Sequence, residues 1–247
     1  MQLNYFFSLH TNRMNPLSRM EKAFQLIYND RHDHPDPDLI ELDHQMDSFD
    51  MATIRDALTN YMESGYIQIN AELFSGTPSP WVKQQTESIL QAMALFRPFR
   101  SMEPLTVYRG VYGISDQEYA PLILSQLRTK KYMNRSYFTS TSLTKKKALA
   151  YTECCLLEIQ LDPIQTLDYI WLSAKNEDEI LIEPNTHLIC THESSLSYEG
   201  RTIPVFHCTI GQGYVVPKST LYNYHDLPPL LDGKRRRSSR NRRKRRS

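Results

Sequence analysis

The spacing of apolar residues changes near residue 104, and that change constrains the fold more than any other feature of the chain. Upstream, apolar residues recur every three or four positions. Leu17, Met20, Phe24 and Ile27 follow Pro16, whose missing N–H is no loss in the first turn of a helix. Ile54, Leu58, Tyr61 and Met62 follow Asp50, whose carboxylate can accept from the first free N–H groups, and Gly65 is the expected stop. Val82, Ile89, Leu90 and Met93 follow Ser79-Pro80, in a helix expected to end near Pro98. Downstream, the apolar runs are short and β-branched or aromatic: Leu105 to Val111, Tyr137-Phe138, Leu156 to Ile159, Ile180 to Ile182, Leu188 to Cys190, and Val205-Phe206. Each is bounded by Pro, Gly, Asn or Asp, as strands are. Helical interruptions are expected from Ser115 to Arg128 and from Thr144 to about Cys155. Helices first and strands afterwards make an α+β fold rather than an alternating α/β one. The expected domain covers 1–233, with helices over 1–100 and a mainly β core over about 104–211.

A chain of 247 residues, 40% of them hydrophobic, can bury one core of this size. No run approaches the ~18 apolar residues of a membrane span, so no membrane role is expected. The N-terminus lacks a cationic start ahead of a long apolar stretch, so a standard secretory signal is not expected either. Cys154, Cys155, Cys190 and Cys208 form no C-x-x-C pair, which argues against a zinc ribbon and for a reducing, intracellular setting. Two histidines and three aspartates between His32 and Asp38 imitate a metal site. Prolines two apart make the segment a solvated loop, no second ligand cluster supports it, and no metal is expected.

The formal net charge of +1 conceals an asymmetry. Residues 234–247 contain ten Lys or Arg and no Asp or Glu, leaving 19 basic and 28 acidic residues elsewhere, a net of −9. This tail has no apolar residue to bury and is expected to be disordered. It can serve as a nuclear-import signal, as a phosphate-binding arm for nucleic acid, or as a solvated end against the acidic body. The nucleus is thus one address that the sequence allows.

Three local features can carry chemistry: Tyr108-Arg109-Gly110 in a strand, Phe138-Thr139-Ser140-Thr141-Ser142 at a strand end, and Glu177-Asp178-Glu179 entering a strand. Singly they are weak, since Ser142 or Thr144 would cap a helix at Lys145 and acidic triplets are usually solvated turns. Together they are coherent. Side chains two apart in a strand share a face, ~6.5–7 Å apart, so Glu177 and Glu179 would point into one cleft. Paired carboxylates suit glycosidic chemistry through an oxocarbenium-like transition state. Arg109 offers a planar fork for a diphosphate, and Ser140 a hydroxyl to orient a carboxylate. The set fits cleavage of a nucleotide-linked N-glycoside.

The order Arg109, Ser140-Thr141-Ser142, Glu177-x-Glu179 resembles the R-S-E signature of the ADP-ribosyltransferases, in particular the arginine-modifying branch with the binary actin-modifying toxins. Leu105 to Gly110 is similar to that family's first core strand, and Asn176 to Thr186 to its acidic strand entry and following turn. Ile54 to Tyr61 with Gly65 to Asn70 resembles the helix before the core. The likeness covers roughly residues 50 to 211. It implies a split β-sandwich holding NAD in a cleft behind N-terminal helices. Arg109 would hold the NAD phosphates and brace the cleft, and Gly110 would let the backbone approach the nicotinamide amide. Ser140 would aim Glu179, Glu179 would stabilise the oxocarbenium ion, and Glu177 would deprotonate an acceptor guanidinium. Tyr151 falls where the family sets an aromatic against the nicotinamide, or is a core aromatic of an amphipathic helix. Ser173 to Asn176 would be the acceptor loop, with Tyr169 or Trp171 nearby.

The function expected from this resemblance is mono-ADP-ribosyl transfer from NAD to an exposed arginine of a protein acceptor. Alternatives are an NAD glycohydrolase with water as acceptor, and an inactive transferase-like body whose basic tail binds nucleic acid.

Overall fold

In the computed structural model, residues 16–29, 36–115, 118–163, 167–172 and 179–211 are described. All lie within the compact unit Met1–Gln212. The expected boundary at 233 and the basic tail 234–247 lie outside the described residues.

Helix α1 (Pro16–Asn29) turns Met20, Phe24 and Ile27 into the core at the expected spacing. Helix α2 (Pro37–Met46) occupies part of what the paired prolines predict to be loop. Pro37 sits in its first turn, and Asp36 accepts from Asp38 N at 3.0 Å as its cap. Asp38 is ion-paired with Arg19. Two members of the metal-like cluster therefore have structural partners, while His32, Asp33 and His34 lie outside the described residues. Among the described residues no group of His, Cys, Asp or Glu could hold a metal ion.

Helix α3 (Met51–Asn60) is capped by Asp50, which accepts from Thr53 N at 3.2 Å and Thr53 Oγ1 at 2.7 Å. Gly65 does not stop it. The chain widens into a π turn, Tyr61–Gly65, and continues as α4 (Tyr66–Ser75). Gly65 stays right-handed, and a Cβ there would lie 2.7 Å from Asn60 O, so the wide turn needs a glycine for room. The true stop is Gly76, at φ 73°, a left-handed cap that glycine adopts without steric cost. Helix α5 (Pro80–Phe96) starts where Ser79 accepts from Val82 N and gives way to a single 3-10 turn at Arg97–Phe99.

Eight strands follow: β1 (Leu105–Val111), β2 (Tyr132–Arg135), β3 (Thr139–Ser142), β4 (Cys155–Leu161), β5 (Tyr169–Leu172), β6 (Glu179–Ile182), β7 (Thr186–Tyr198) and β8 (Arg201–Ile210). Their order is β2-β7-β8-β4-β1-β3-β6-β5. β1 pairs with β4 along its whole length but meets β3 at one register pair, Tyr108 opposite Ser142. The sheet is therefore two wings, of five and three strands, that part at the β1–β3 joint. This is the split sheet that the resemblance implies.

Several expected elements are corrected. Tyr137-Phe138 is a buried link between β2 and β3, with Phe138 edge-on to Tyr61 and Tyr137 edge-on to Phe74. The helix expected to reach Cys155 is only α7 (Lys145–Leu149). It ends because the chain turns back to β1, where Cys154 N bonds to Val111 O at 2.8 Å. The helix expected from Ser115 is α6 (Ala120–Ser125), followed by a π turn at Gln126–Lys130.

The main core joins α1, α3 and α5 to one face of the sheet, with Phe96 edge-on to Tyr169. Alternation along the strands leaves Leu156, Ile203 and Val205 in a second, smaller cluster, which α7 covers with Ala148 and Leu149. Helix α7 is thereby held beside the joint.

Candidate active site

Arg109 lies one residue past the joint. Its Nη1 donates to Ser140 O at 2.7 Å, so the side chain ties one wing to the other. Its Nε donates to Glu118 Oε1 at 3.1 Å, and its Nη2 is ion-paired with the same oxygen. The other oxygen, Glu118 Oε2, accepts from Tyr112 N at 3.3 Å. Burial pushes the Glu118 carboxyl up, but the Arg109 and Arg135 guanidiniums outweigh it and hold the group at about 2. Arg109, despite burial, is held above its ordinary value by Glu118.

Strand β3 turns Thr139 and Thr141 into the core and leaves Ser140 and Ser142 on the cleft side. Glu179 opens β6 directly opposite Ser142, and Ser140 opposes Leu181. Register thus sets Glu179 on the same face as Ser140, one position diagonally along the pair. Ser142 does not cap α7, whose N-cap is Thr144 with no side-chain hydrogen bond. It accepts from Thr144 N at 3.1 Å and lines the cleft across from Glu179. Glu177 and the acceptor loop from Ser173 to Asn176 lie outside the described residues. Tyr169 and Trp171, expected near that loop, are buried in β5, the strand that precedes it, where the Tyr169 hydroxyl accepts from Ser101 N at 3.0 Å.

The helical layer adds groups that the sequence motif does not contain. The π turn aims Tyr61 inward, and π turns recur at functional sites because they re-aim side chains. The Tyr61 phenol accepts from Asn70 Nδ2 at 3.2 Å and lines the cleft with Ser140, and burial raises its pKa. Ser140 is held by its carbonyl on Arg109.

Gly110 has a packing role besides the expected one. A Cβ there would lie 2.2 Å from Ala148 O and 2.8 Å from Tyr151 C, so glycine is what lets the end of α7 lie against β1. That contact delivers Tyr151 to the cleft. Of its two readings, the core aromatic is overturned: Tyr151 is 55% exposed, edge-on to Tyr112 at 6.5 Å.

These residues line one cleft of about 740 Å³, within the ~300–1,000 Å³ range of small-molecule sites. Arg109, Gly110, Ser140, Tyr151 and Glu179 all contribute to it, with Tyr61, Asn70, Tyr112 and Glu118. The donor set fits a dinucleotide: a guanidinium for phosphate, aromatic faces for rings and a carboxylate for a sugar hydroxyl. Asn70 Oδ1 is buried with no hydrogen-bond partner, an acceptor that a polar ligand can satisfy.

The ADP-ribosyltransferase exoenzyme family model matches residues 50–203. Among solved structures, the enzymatic component C2-I of the C2-toxin from Clostridium botulinum is 19% identical, with a TM-score of 0.52, over 65% of this chain and 43% of that one. BECa, an ADP-ribosylating toxin of a binary enterotoxin of C. perfringens crystallised with NADH, is 16% identical with a TM-score of 0.53, over 79% and 47%. Plx2a, an ADP-ribosyltransferase toxin from Paenibacillus larvae, is 16% identical with a TM-score of 0.54, over 77% and 96%. At these identities the likeness is one of fold, and the chain spans less than half the length of C2-I and of BECa. No curated protein matches it.

Proposed function

Because the chain belongs to the ADP-ribosyltransferase exoenzyme family, we propose that its cleft binds NAD and transfers ADP-ribose to an arginine of a protein acceptor, with release of nicotinamide. The observation that carries this reading is the meeting of Arg109, Ser140 and Glu179 in one cleft at the joint of the sheet.

Arg109 receives the diphosphate while bracing the two wings. Tyr151 offers a face to the nicotinamide ring. The bond between the nicotinamide nitrogen and the ribose breaks, and its electron pair leaves with the ring, which becomes neutral. Positive charge develops on the ribose, and the Glu179 carboxylate stabilises it from the face that Ser140 shares. A guanidinium nitrogen of the acceptor then bonds to the anomeric carbon and gives its proton to Glu177. Separate carboxylates suit the two tasks, because an acceptor guanidinium must lose a proton before it is a useful nucleophile. We also propose that the ten basic residues of 234–247 act as an address or as a nucleic-acid arm and take no part in the chemistry.

Incubation with labelled NAD, with and without poly-arginine, tests the reading. Nicotinamide release with label on the acceptor is the expected result. Release without transfer would assign the cleft to NAD hydrolysis, and no release would overturn NAD chemistry here.

A further inference from the structure

Arg135, at the end of β2, is only 1% exposed and does not line the cleft. Its Nε donates to Thr139 Oγ1 at 3.3 Å, and its guanidinium carbon lies 4.5 Å from the centre of the Tyr137 ring. Its Nη2 donates to Glu118 Oε1 at 3.4 Å, the same oxygen that takes Nε and Nη2 of Arg109. One carboxylate thus serves two guanidiniums, and the trio carries one net positive charge. A buried ion pair of one arginine and one carboxylate would be neutral and would gain little by admitting an anion. A buried trio with a surplus cation is incomplete until an anion arrives.

We propose that Arg135 is a positioning residue for NAD: by sharing Glu118 it keeps Arg109 electrostatically available to the diphosphate. This rests on the NAD reading of the cleft. Without Arg135, Glu118 would neutralise Arg109 alone, and the phosphates would meet a closed pair. Arg109 still has N–H groups not used by Glu118 and Ser140 O, since a guanidinium carries five. These are the donors that a diphosphate can take. The other charged residues of the cleft, Glu63, Lys147 and Glu179, are the same in all variants below, so the comparison isolates the trio.

The test is the affinity for NADH, followed by its own fluorescence, in the wild type, Arg135→Met, Glu118→Gln and the double variant. Arg135→Met removes the surplus charge and is expected to weaken NADH binding about tenfold. The double variant restores a net charge of one and is expected to return to within about threefold of wild type, although it lacks more hydrogen bonds than either parent. A purely structural Arg135 would give a double variant at least as weak as Arg135→Met, and that result overturns the inference. Equal binding by Arg135→Met and wild type overturns it too. Should Arg135→Met not melt cooperatively, Glu118→Gln decides alone. Removing the shared counter-charge must leave NADH binding no weaker than wild type, and a tenfold loss sinks the proposal. A wild type that binds no NADH overturns the proposed function and this inference with it.

Discussion

Glu118 is the residue on which the cleft's electrostatics turn. Its carboxyl sits at about 2, below its ordinary value of 4.5. A group lowered on folding adds stability that is present above its unfolded value and is lost as pH falls towards the folded one. On the order of 3 kcal/mol is expected to disappear between about pH 5 and pH 2. Melting temperature measured across that window should fall more steeply in wild type than in Glu118→Gln; parallel curves would contradict the pairing. Glu177→Gln is expected to abolish transfer to arginine but leave NAD hydrolysis largely intact, because water needs less help than a guanidinium, and equal loss of both would contradict separate roles. Ser140→Ala should slow turnover by about one to two orders of magnitude, since Ser140 aims another group and does not react; an unaffected enzyme would reduce it to a strand residue. Arg109, Ser140 and Glu179 were legible in the sequence because each sits in a short local pattern. Glu118 and Arg135 were not. They lie nine and twenty-six positions from Arg109, and only the fold brings their charges to one point.

The elements position these residues through two close approaches. A Cβ at Gly110 would strike the backbone of Ala148, which cannot move aside as a side-chain tip can. Gly110→Ala is expected to cost about 1–3 kcal/mol, or roughly 2–10 °C in melting temperature, and to weaken NADH binding by displacing Tyr151. A variant with wild-type melting and affinity would show that α7 does not press on β1. The π turn is the second approach, and it explains why the helix expected to stop at Gly65 runs on. A glycine after a helical run commonly means a left-handed cap, but Gly65 is there for room and Gly76 for φ. Strands were legible where apolar residues cluster, as in β1 and β4. β2 escapes the pattern because Asn134 and Arg135 break it, and the outer half of β7, with Ser194, Ser195 and Ser197, because it is mostly exposed and only Leu196 and Tyr198 pack against the smaller cluster. The joint itself leaves no trace in composition, because it is a place where pairing stops.

Across the whole molecule, charge is divided between a body of net −9 and a tail with ten basic residues in fourteen. Deleting Lys234 to Ser247 should leave NAD cleavage and labelling of a small arginine acceptor unchanged, since the tail has no apolar residue to add to a core. What should change is cellular location, or a salt-steep binding to nucleic acid of roughly one log unit per log of salt for each phosphate contact. A truncated protein that localises and binds nucleic acid as the full chain does would leave the tail without either role. The central claim is narrower: the cleft at the joint of the sheet cleaves NAD with Glu179 as its charge stabiliser. The most direct test is nicotinamide release from labelled NAD by wild type and by Glu179→Gln of equal melting temperature. The account expects release by wild type and a loss of about 10²–10³-fold in the variant, the usual effect of removing one preorganised electrostatic partner of the transition state. Equal release by the two proteins would contradict it.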